Sequence, residues 1–122
     1  MPLDNEKTVG DLKEAIKKFR DERDWGKYHK PKDLALSISI EAAELLELFQ
    51  WKSEDEIDEL LKDPKYFASV EKEVADVINY CFALSNALDI DISKALLNKI
   101  KLNSKKYPIK KTKGKYKKYT EL

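Results

Sequence analysis

The spacing of apolar residues constrains this 122-residue chain more than any other feature of its sequence. Apolar side chains recur three or four positions apart along most of the chain, which is the period of an amphipathic α-helix. Only three glycines and four prolines interrupt the pattern. The length is typical of one domain. We therefore predict an all-α fold.

Capping residues and helix breakers divide this pattern into separate helices. The predicted helices run from Thr8 to about Asp24, from Leu34 (capped by Asp33) to about Trp51, from Ser53 to about Leu61, from Phe67 to about Leu88, and from Ser93 to about Lys106. The turn at 25–31 and the Asp63-Pro64 step separate the first four, since glycine and proline interrupt helices. We expect residues 1–108 to form the domain and residues 109–122 to be an extended or mobile basic Lys/Tyr tail.

The charges are unevenly distributed, although the net charge is only +1. Residues 1–93 carry 13 basic and 22 acidic side chains, whereas residues 94–122 carry 11 lysines and one acid, Glu121. This split suggests cation binding by the first region and phosphate binding by the second, or simple solvation of both. The single cysteine, Cys81, excludes a disulfide framework, and no apolar run is long enough to span a membrane. We expect a cytoplasmic protein without membrane contact, or a nuclear one in a cell that has a nucleus.

Two pairs of carboxylates lie beside the apolar stripes of the second and fourth predicted helices. The stripes comprise Leu34, Ile38, Leu45, Leu48 and Phe49 on the second helix, and Val70, Val74, Val77, Cys81 and Leu84 on the fourth. Glu41 and Glu44 form one pair and Glu73 and Asp76 the other, and residues three apart point the same way. Carboxylates on a core-facing side are costly unless they are paired or bind a metal.

If the two helices pack antiparallel, the four carboxylates converge. Oxygen ligands without histidine or cysteine suit Mg²⁺, or alternatively Mn²⁺, and such ions also bind substrate phosphates. No Glu-x-x-His element is present, which argues against a ferritin-like di-iron bundle. The plainer alternative is that these acids are solvated edge positions that pair with lysines.

Several further segments accompany these pairs. They are Glu22-Arg23-Asp24-Trp25, His29-x-Pro31, the run from Glu41 to Lys52, Glu73-x-x-Asp76-Val77-x-x-Tyr80, Lys99 with Asn103 before Tyr107-Pro108, and the ending Lys118-Tyr119-Thr120-Glu121-Leu122. Together they resemble the MazG-like all-α nucleoside triphosphate pyrophosphohydrolases, and most closely the branch that acts on dCTP. The resemblance covers nearly the whole chain from about Leu12.

The resemblance implies a bundle of four to five helices that assembles as a homotetramer, with a dimer as the next alternative. The family's members use Mg²⁺ to cleave a nucleoside triphosphate into the monophosphate and pyrophosphate. It implies dCTP or a modified dCTP as substrate, and a role in cleansing the nucleotide pool. The implied metal-binding and catalytic residues are Glu41, Glu44, Glu73 and Asp76, and the implied substrate-binding residues are Trp25, His29, Trp51, Tyr80, Lys99 and Asn103. The chain departs from the branch at Ile16, where a histidine is expected, and at Lys105 and Lys106, where arginines are expected.

Several of the residues in these segments also have a purely structural interpretation. His29 could be an exposed turn residue, and Trp25 and Trp51 could plug the core or an interface. Tyr80 could be a core residue with a satisfied hydroxyl, and Glu47, one turn beyond the first acidic pair, could be a supporting base or a solvated acid. The rival function is a non-catalytic helical module whose basic tail binds a partner or a nucleic acid. No nucleic-acid-binding motif accompanies the tail, so we expect no nucleic acid partner.

Overall fold

A computed structural model describes residues 1–121 of the chain. Its helices are α1 (Val9–Glu22), α2 (Pro31–Glu47), α3 (Glu54–Leu60), α4 (Pro64–Ala87), α5 (Ile92–Lys106) and α6 (Ile109–Thr112), with short 3₁₀ turns at Leu3–Asn5, Gly26–Tyr28 and Tyr119–Glu121. The described part of the chain contains no β-strand, so the all-α prediction is confirmed. The chain forms two compact units, Met1–Asp89 and a second that begins at Ile90.

The capping residues predicted for α1 and α3 are confirmed. The Thr8 backbone N–H donates to the Asp11 carboxylate at 2.9 Å, and the Asp11 N–H donates to the Thr8 hydroxyl at 3.0 Å. At α3, the Glu56 N–H donates to the Ser53 hydroxyl at 3.1 Å. Each pair satisfies backbone donors that have no partner within the helix, which explains why these starts can be read from local sequence.

Two predicted helix starts are wrong, and prolines account for both. Helix α2 begins at Pro31 and α4 at Pro64, so both prolines occupy the first helical turn instead of ending the preceding one. Proline is favoured there because its missing N–H needs no partner and its backbone angle already suits a helix. Asp33 therefore lies inside the first turn of α2 and not at its cap. The predicted start of α5 near Ser93 is confirmed, since this helix begins at Ile92 with Asp91 as the capping residue.

In the first unit, α2 and α1 both pack against α4. The most deeply buried side chains are Leu34 on α2 and Ala83 and Ser85 on α4. Small residues on α4 allow the neighbouring helices to approach closely, because they leave room for larger side chains on the partner helix. The arrangement places the acidic positions of α2 opposite those of α4.

One residue of the predicted inward stripe of α4 faces outward. Val74 is 40% exposed, whereas Val70, Val77, Cys81 and Leu84 are half-buried. A single apolar stripe suits a helix with one packing partner. Because α4 packs against both α1 and α2, its buried side is centred on other positions, and Val74 lies outside it. Together with Phe67 and Ile78, this valine forms an exposed apolar face on α4.

Within the second unit, aromatic residues of the C-terminal segment contact the end of α5. The Tyr107 and Tyr119 rings meet edge to face with centroids 6.1 Å apart, and the Lys106 ammonium lies 4.9 Å from the centre of the Tyr119 ring. Residues 109–121 therefore contain short helical turns and ring contacts, where an extended or mobile tail was predicted. In the described residues, no helix is both long and apolar enough to cross a membrane.

Candidate active site

Three carboxylates of the first unit converge between α2 and α4. Glu41, Glu73 and Asp76 each offer an oxygen, and these oxygens lie within 4.8 Å of one another. Glu73 and Asp76 come together because residues three apart share a helix face, whereas Glu41 reaches them only through the packing of α2 on α4. The predicted convergence of the two pairs is therefore present at these three positions.

Burial and like charge make two of these carboxylates unusually weak acids. The pKa of Glu41 is raised to about 7, first by a shared hydrogen bond with Glu44, then by burial and by the nearby charges of Glu44, Asp76 and Glu73. The pKa of Glu73 is raised by burial first and then by the charges of Glu44 and Asp76. Like charges held together disfavour ionisation, and a cation among them would reverse that preference.

The fourth predicted carboxylate, Glu44, lies beside the other acids. It is half-buried, and its side chain contributes to the raised pKa values of both Glu41 and Glu73. Glu47, one turn further along the chain, is exposed, and its charge contributes to the raised pKa of Glu73. Both residues therefore lie in the acidic surroundings that their helical spacing predicts.

The residues of this cluster fit a divalent cation. The Oε2 atoms of Glu41 and Glu73 are buried and have no hydrogen-bond partner among the described residues. Buried carboxylate oxygens without donors are costly, and a hard cation that prefers oxygen ligands would satisfy them. The donor set consists of carboxylates alone, which matches the ligand preference of Mg²⁺ and Mn²⁺.

Three of the predicted substrate-binding residues line one small cavity between α1, the 3₁₀ turn and α4. The cavity has a volume of about 90 Å³, and Trp25, His29 and Tyr80 form part of its wall. The Nδ1 atom of His29 is buried without a partner among the described residues. Burial, and secondly the charge of Arg20, lower the pKa of His29, so its imidazole is neutral near pH 7.

Two polar residues of this cavity were not predicted from the sequence. Arg20 on α1 and Asn79 on α4 both line it. Asn79 and Ile16 also line a larger groove of about 490 Å³ that includes Asp76, so the cavity and the acidic cluster adjoin a common space. Arg20 follows the apolar Ile16 by four residues, and a cation on the apolar side of α1 was the signal that could have identified it.

The remaining predicted residues are not among those that form the acidic cluster or line the cavity. Trp51 follows the end of α2, is 91% exposed and has a left-handed backbone with φ of 65°. Lys99 and Asn103 lie on α5, in the second compact unit, where both side chains are exposed. The part that these three residues play in substrate binding stays a prediction.

The fold and the site together define a class: all-α proteins in which carboxylates of two packed helices form a candidate metal centre near an aromatic cavity. The MazG-like family matches residues 36–122. The chain is 37% identical over 117 residues to dCTP pyrophosphatase 1 of Rattus norvegicus, which spans 96% of this chain and 69% of the relative. It is 36% identical over 117 residues to dCTP pyrophosphatase 1 of Homo sapiens, with the same coverage.

A solved structure shows the same likeness. The crystal structure of a pyrophosphatase from Archaeoglobus fulgidus matches with a TM-score of 0.75 and 46% identity, over 82% of this chain and 92% of that one. The chain belongs to the MazG-like family, and it is an enzyme of the pyrophosphatase class. The predicted family and the prediction of an enzyme are therefore confirmed, and the non-catalytic module is set aside.

Proposed function

We propose that this protein is a Mg²⁺-dependent nucleotide pyrophosphohydrolase that converts dCTP, or a modified dCTP, and water into dCMP and pyrophosphate. The observation that carries the proposal is the convergence of Glu41, Glu73 and Asp76 oxygens within 4.8 Å. The relatives named dCTP pyrophosphatase 1 match almost the whole chain, which supports the choice of substrate. By consuming the triphosphate, the enzyme would cleanse the deoxynucleotide pool in the cytoplasm.

The acidic cluster would hold the metal. Glu41, Glu44, Glu73 and Asp76 are the ligands that we propose for Mg²⁺, with Mn²⁺ as a substitute. A bound divalent ion would neutralise triphosphate oxygens and make a nearby water more acidic. The chain itself keeps the ligand oxygens together and supplies the buried, unpartnered Oε2 atoms of Glu41 and Glu73.

The cavity next to the cluster would receive the base. Trp25 provides an aromatic face for stacking, which is worth roughly 1–3 kcal/mol per base, and His29 and Tyr80 provide polar atoms. The triphosphate would then extend towards Asp76 along the groove that Asn79 shares with the cavity. Lys99 and Asn103 are proposed to bind phosphates, because a lysine ammonium and an amide donate to anionic oxygens.

Assembly into a homotetramer would cover the apolar surface that a single chain leaves exposed. Phe67, Val74 and Ile78 lie on one face of α4 and are 49%, 40% and 46% exposed. Contiguous apolar faces of this kind are typical of interfaces between subunits. Trp51, at 91% exposure, is the residue we propose to reach a neighbouring subunit's nucleotide.

The deciding experiment measures pyrophosphate release with Mg²⁺ on each of the common ribo- and deoxynucleoside triphosphates. We expect the highest kcat/KM on dCTP, with dCMP and pyrophosphate formed in equal amounts. Addition of EDTA should abolish turnover, and Mg²⁺ or Mn²⁺ should restore it. Release of inorganic phosphate instead of pyrophosphate, or no turnover on any nucleotide, would overturn the proposal.

A further inference from the structure

Arg20 is a largely buried cation in the wall of the small cavity. Its side chain is 18% exposed, and its Nε donates to the Asp21 carboxylate at 2.8 Å. Among the described residues, its two terminal Nη groups have no protein acceptor. An arginine carries five donors and no acceptor, so the Nη groups are donors available to a ligand in the cavity.

The position of Arg20 along the bundle separates it from the acidic cluster. The α4 residues that share its cavity are Asn79, Tyr80 and Ala83, which follow Asp76 by three, four and seven positions. At 1.5 Å per helical residue, they lie roughly 5–10 Å beyond Asp76 along the helix axis. If the phosphates of a nucleotide are held near Asp76, the group that reaches this cavity is the base.

Pyrimidine bases differ in the hydrogen-bonding groups that they would present to an arginine. Cytosine offers two adjacent acceptors, N3 and O2, and a donor amino group at N4, whereas thymine and uracil carry a hydrogen on N3 and an acceptor oxygen at position 4. The Nη groups can therefore donate to both acceptors of cytosine, but they face the N3–H donor of thymine or uracil. A donor pointing at a donor leaves both without a partner, which is costly in a buried site.

We propose that Arg20 is a specificity-determining residue that selects cytosine over thymine and uracil by donating to N3 and O2 of the base. This inference rests on the proposed function, because it assumes that the acidic cluster binds the triphosphate.

The neighbouring histidine complements this arrangement. His29 lines the same cavity, and its buried Nδ1 has no partner among the described residues. The charge of Arg20 contributes to the lowered pKa of His29, and a neutral imidazole keeps one nitrogen as an acceptor. An acceptor suits the N4 amino group of cytosine and not the carbonyl oxygen of thymine or uracil. The pair thus matches the donor and acceptor pattern of a single base.

The test compares kcat/KM for dCTP with kcat/KM for dUTP in the wild-type protein and in Arg20→Met, whose unbranched side chain lacks the donors. We expect the dCTP/dUTP ratio to fall by about 10-fold or more, as for the loss of a bidentate base contact. The value for dUTP should stay the same or rise. Lys18→Met is the matched control, because Lys18 lies on the same helix with its side chain 77% exposed, and its ratio should not change.

A binding measurement without metal separates recognition from turnover. The Kd ratio of dUMP to dCMP, measured by calorimetry in EDTA, should also fall in Arg20→Met and stay unchanged in Lys18→Met. Circular dichroism reports whether Arg20→Met is folded; if it is not, Arg20→Lys takes its place, with a smaller fall expected because a lysine lacks the planar fork.

The outcomes distinguish this inference from the function on which it rests. A wild-type protein that cleaves no nucleotide overturns the proposed function. A wild-type protein that cleaves dUTP as well as dCTP, or a folded Arg20 variant that loses activity equally on both, overturns the role of Arg20 alone.

Discussion

Glu41 on α2 and Glu73 on α4 each bury an Oε2 oxygen without a hydrogen-bond partner among the described residues, and both carboxylates point into one cluster with Asp76. Folding alone would avoid this arrangement, because like charges repel and buried oxygens need donors. A bound cation turns both costs into favourable contacts. Cation binding by this cluster can therefore be tested by removing one of its charges, by changing the pH and by adding Mg²⁺, with activity and stability as the quantities measured.

The first prediction concerns removal of one charge from the cluster. Glu41→Gln should lower Mg²⁺-dependent kcat/KM roughly 100-fold or more, the scale typical of losing one group that stabilises transition-state charge. In EDTA the same variant should melt at an equal or higher temperature than the wild type, because a repulsive charge is gone. Turnover assays measure the first effect, and calorimetry with and without Mg²⁺ measures the second.

The matched control for this variant is Glu71→Gln, which removes an exposed carboxylate from α4. It should retain activity and the gain in melting temperature on Mg²⁺ addition. If Glu41→Gln retained that gain as well, Glu41 would not be a metal ligand.

The second prediction concerns pH. The folded-state pKa values of Glu41, at about 7, and of Glu73 lie above the unfolded value of 4.5. The folded state therefore binds these two protons more tightly than the unfolded state does. In EDTA, the contribution of the two groups to the free energy of unfolding should be fully present below about pH 4.5 and should be lost as the pH rises through about 7. Urea unfolding across this range measures the slope, and Glu41→Gln should flatten it.

Addition of Mg²⁺ should reverse this pH dependence, since a metal binds the ionised carboxylates and competes with protons. The increase in the free energy of unfolding on Mg²⁺ addition should therefore grow between about pH 5 and pH 7. A stabilisation by Mg²⁺ that did not change with pH would contradict binding at these two acids.

The third prediction concerns Trp51. A left-handed backbone costs a residue with a side chain about 1–2 kcal/mol, and glycine avoids this cost at the expense of a more flexible unfolded chain. Trp51→Gly should therefore leave the free energy of unfolding within about 1 kcal/mol of the wild type. Its KM for dCTP should rise if the indole binds nucleotide. Asp89→Gly, at a position with φ of 52°, is the control and should leave KM unchanged.

The fourth prediction concerns assembly. Val74→Lys places a charge in the exposed apolar face of α4, and we expect the variant to elute as a smaller species than the wild type in size-exclusion chromatography with light scattering. Lys72→Glu changes an exposed charge on the same helix and should leave the mass unchanged. Equal masses for wild type and Val74→Lys would exclude this face as an interface.

Some features of the protein depend only on residues close together in the chain, and these could be predicted from the sequence. The Thr8–Asp11 cap needs one turn of backbone, and the shared direction of Glu73 and Asp76 follows from three residues of helix. The prolines at 31 and 64 misled the prediction of α2 and α4 because proline stops one helix and starts another equally well.

Other features depend on how the helices pack, which local spacing does not specify. The approach of Glu41 to Glu73 and the outward position of Val74 follow from the rotation of each helix about its axis. That rotation is set by non-local contacts, including the tight packing at Ala83 and Ser85. The cavity that Arg20 and His29 share depends in addition on the turn that follows α1. The sequence by itself determined the helices and the acidic residue types, and the tertiary structure decided which side chains share a site.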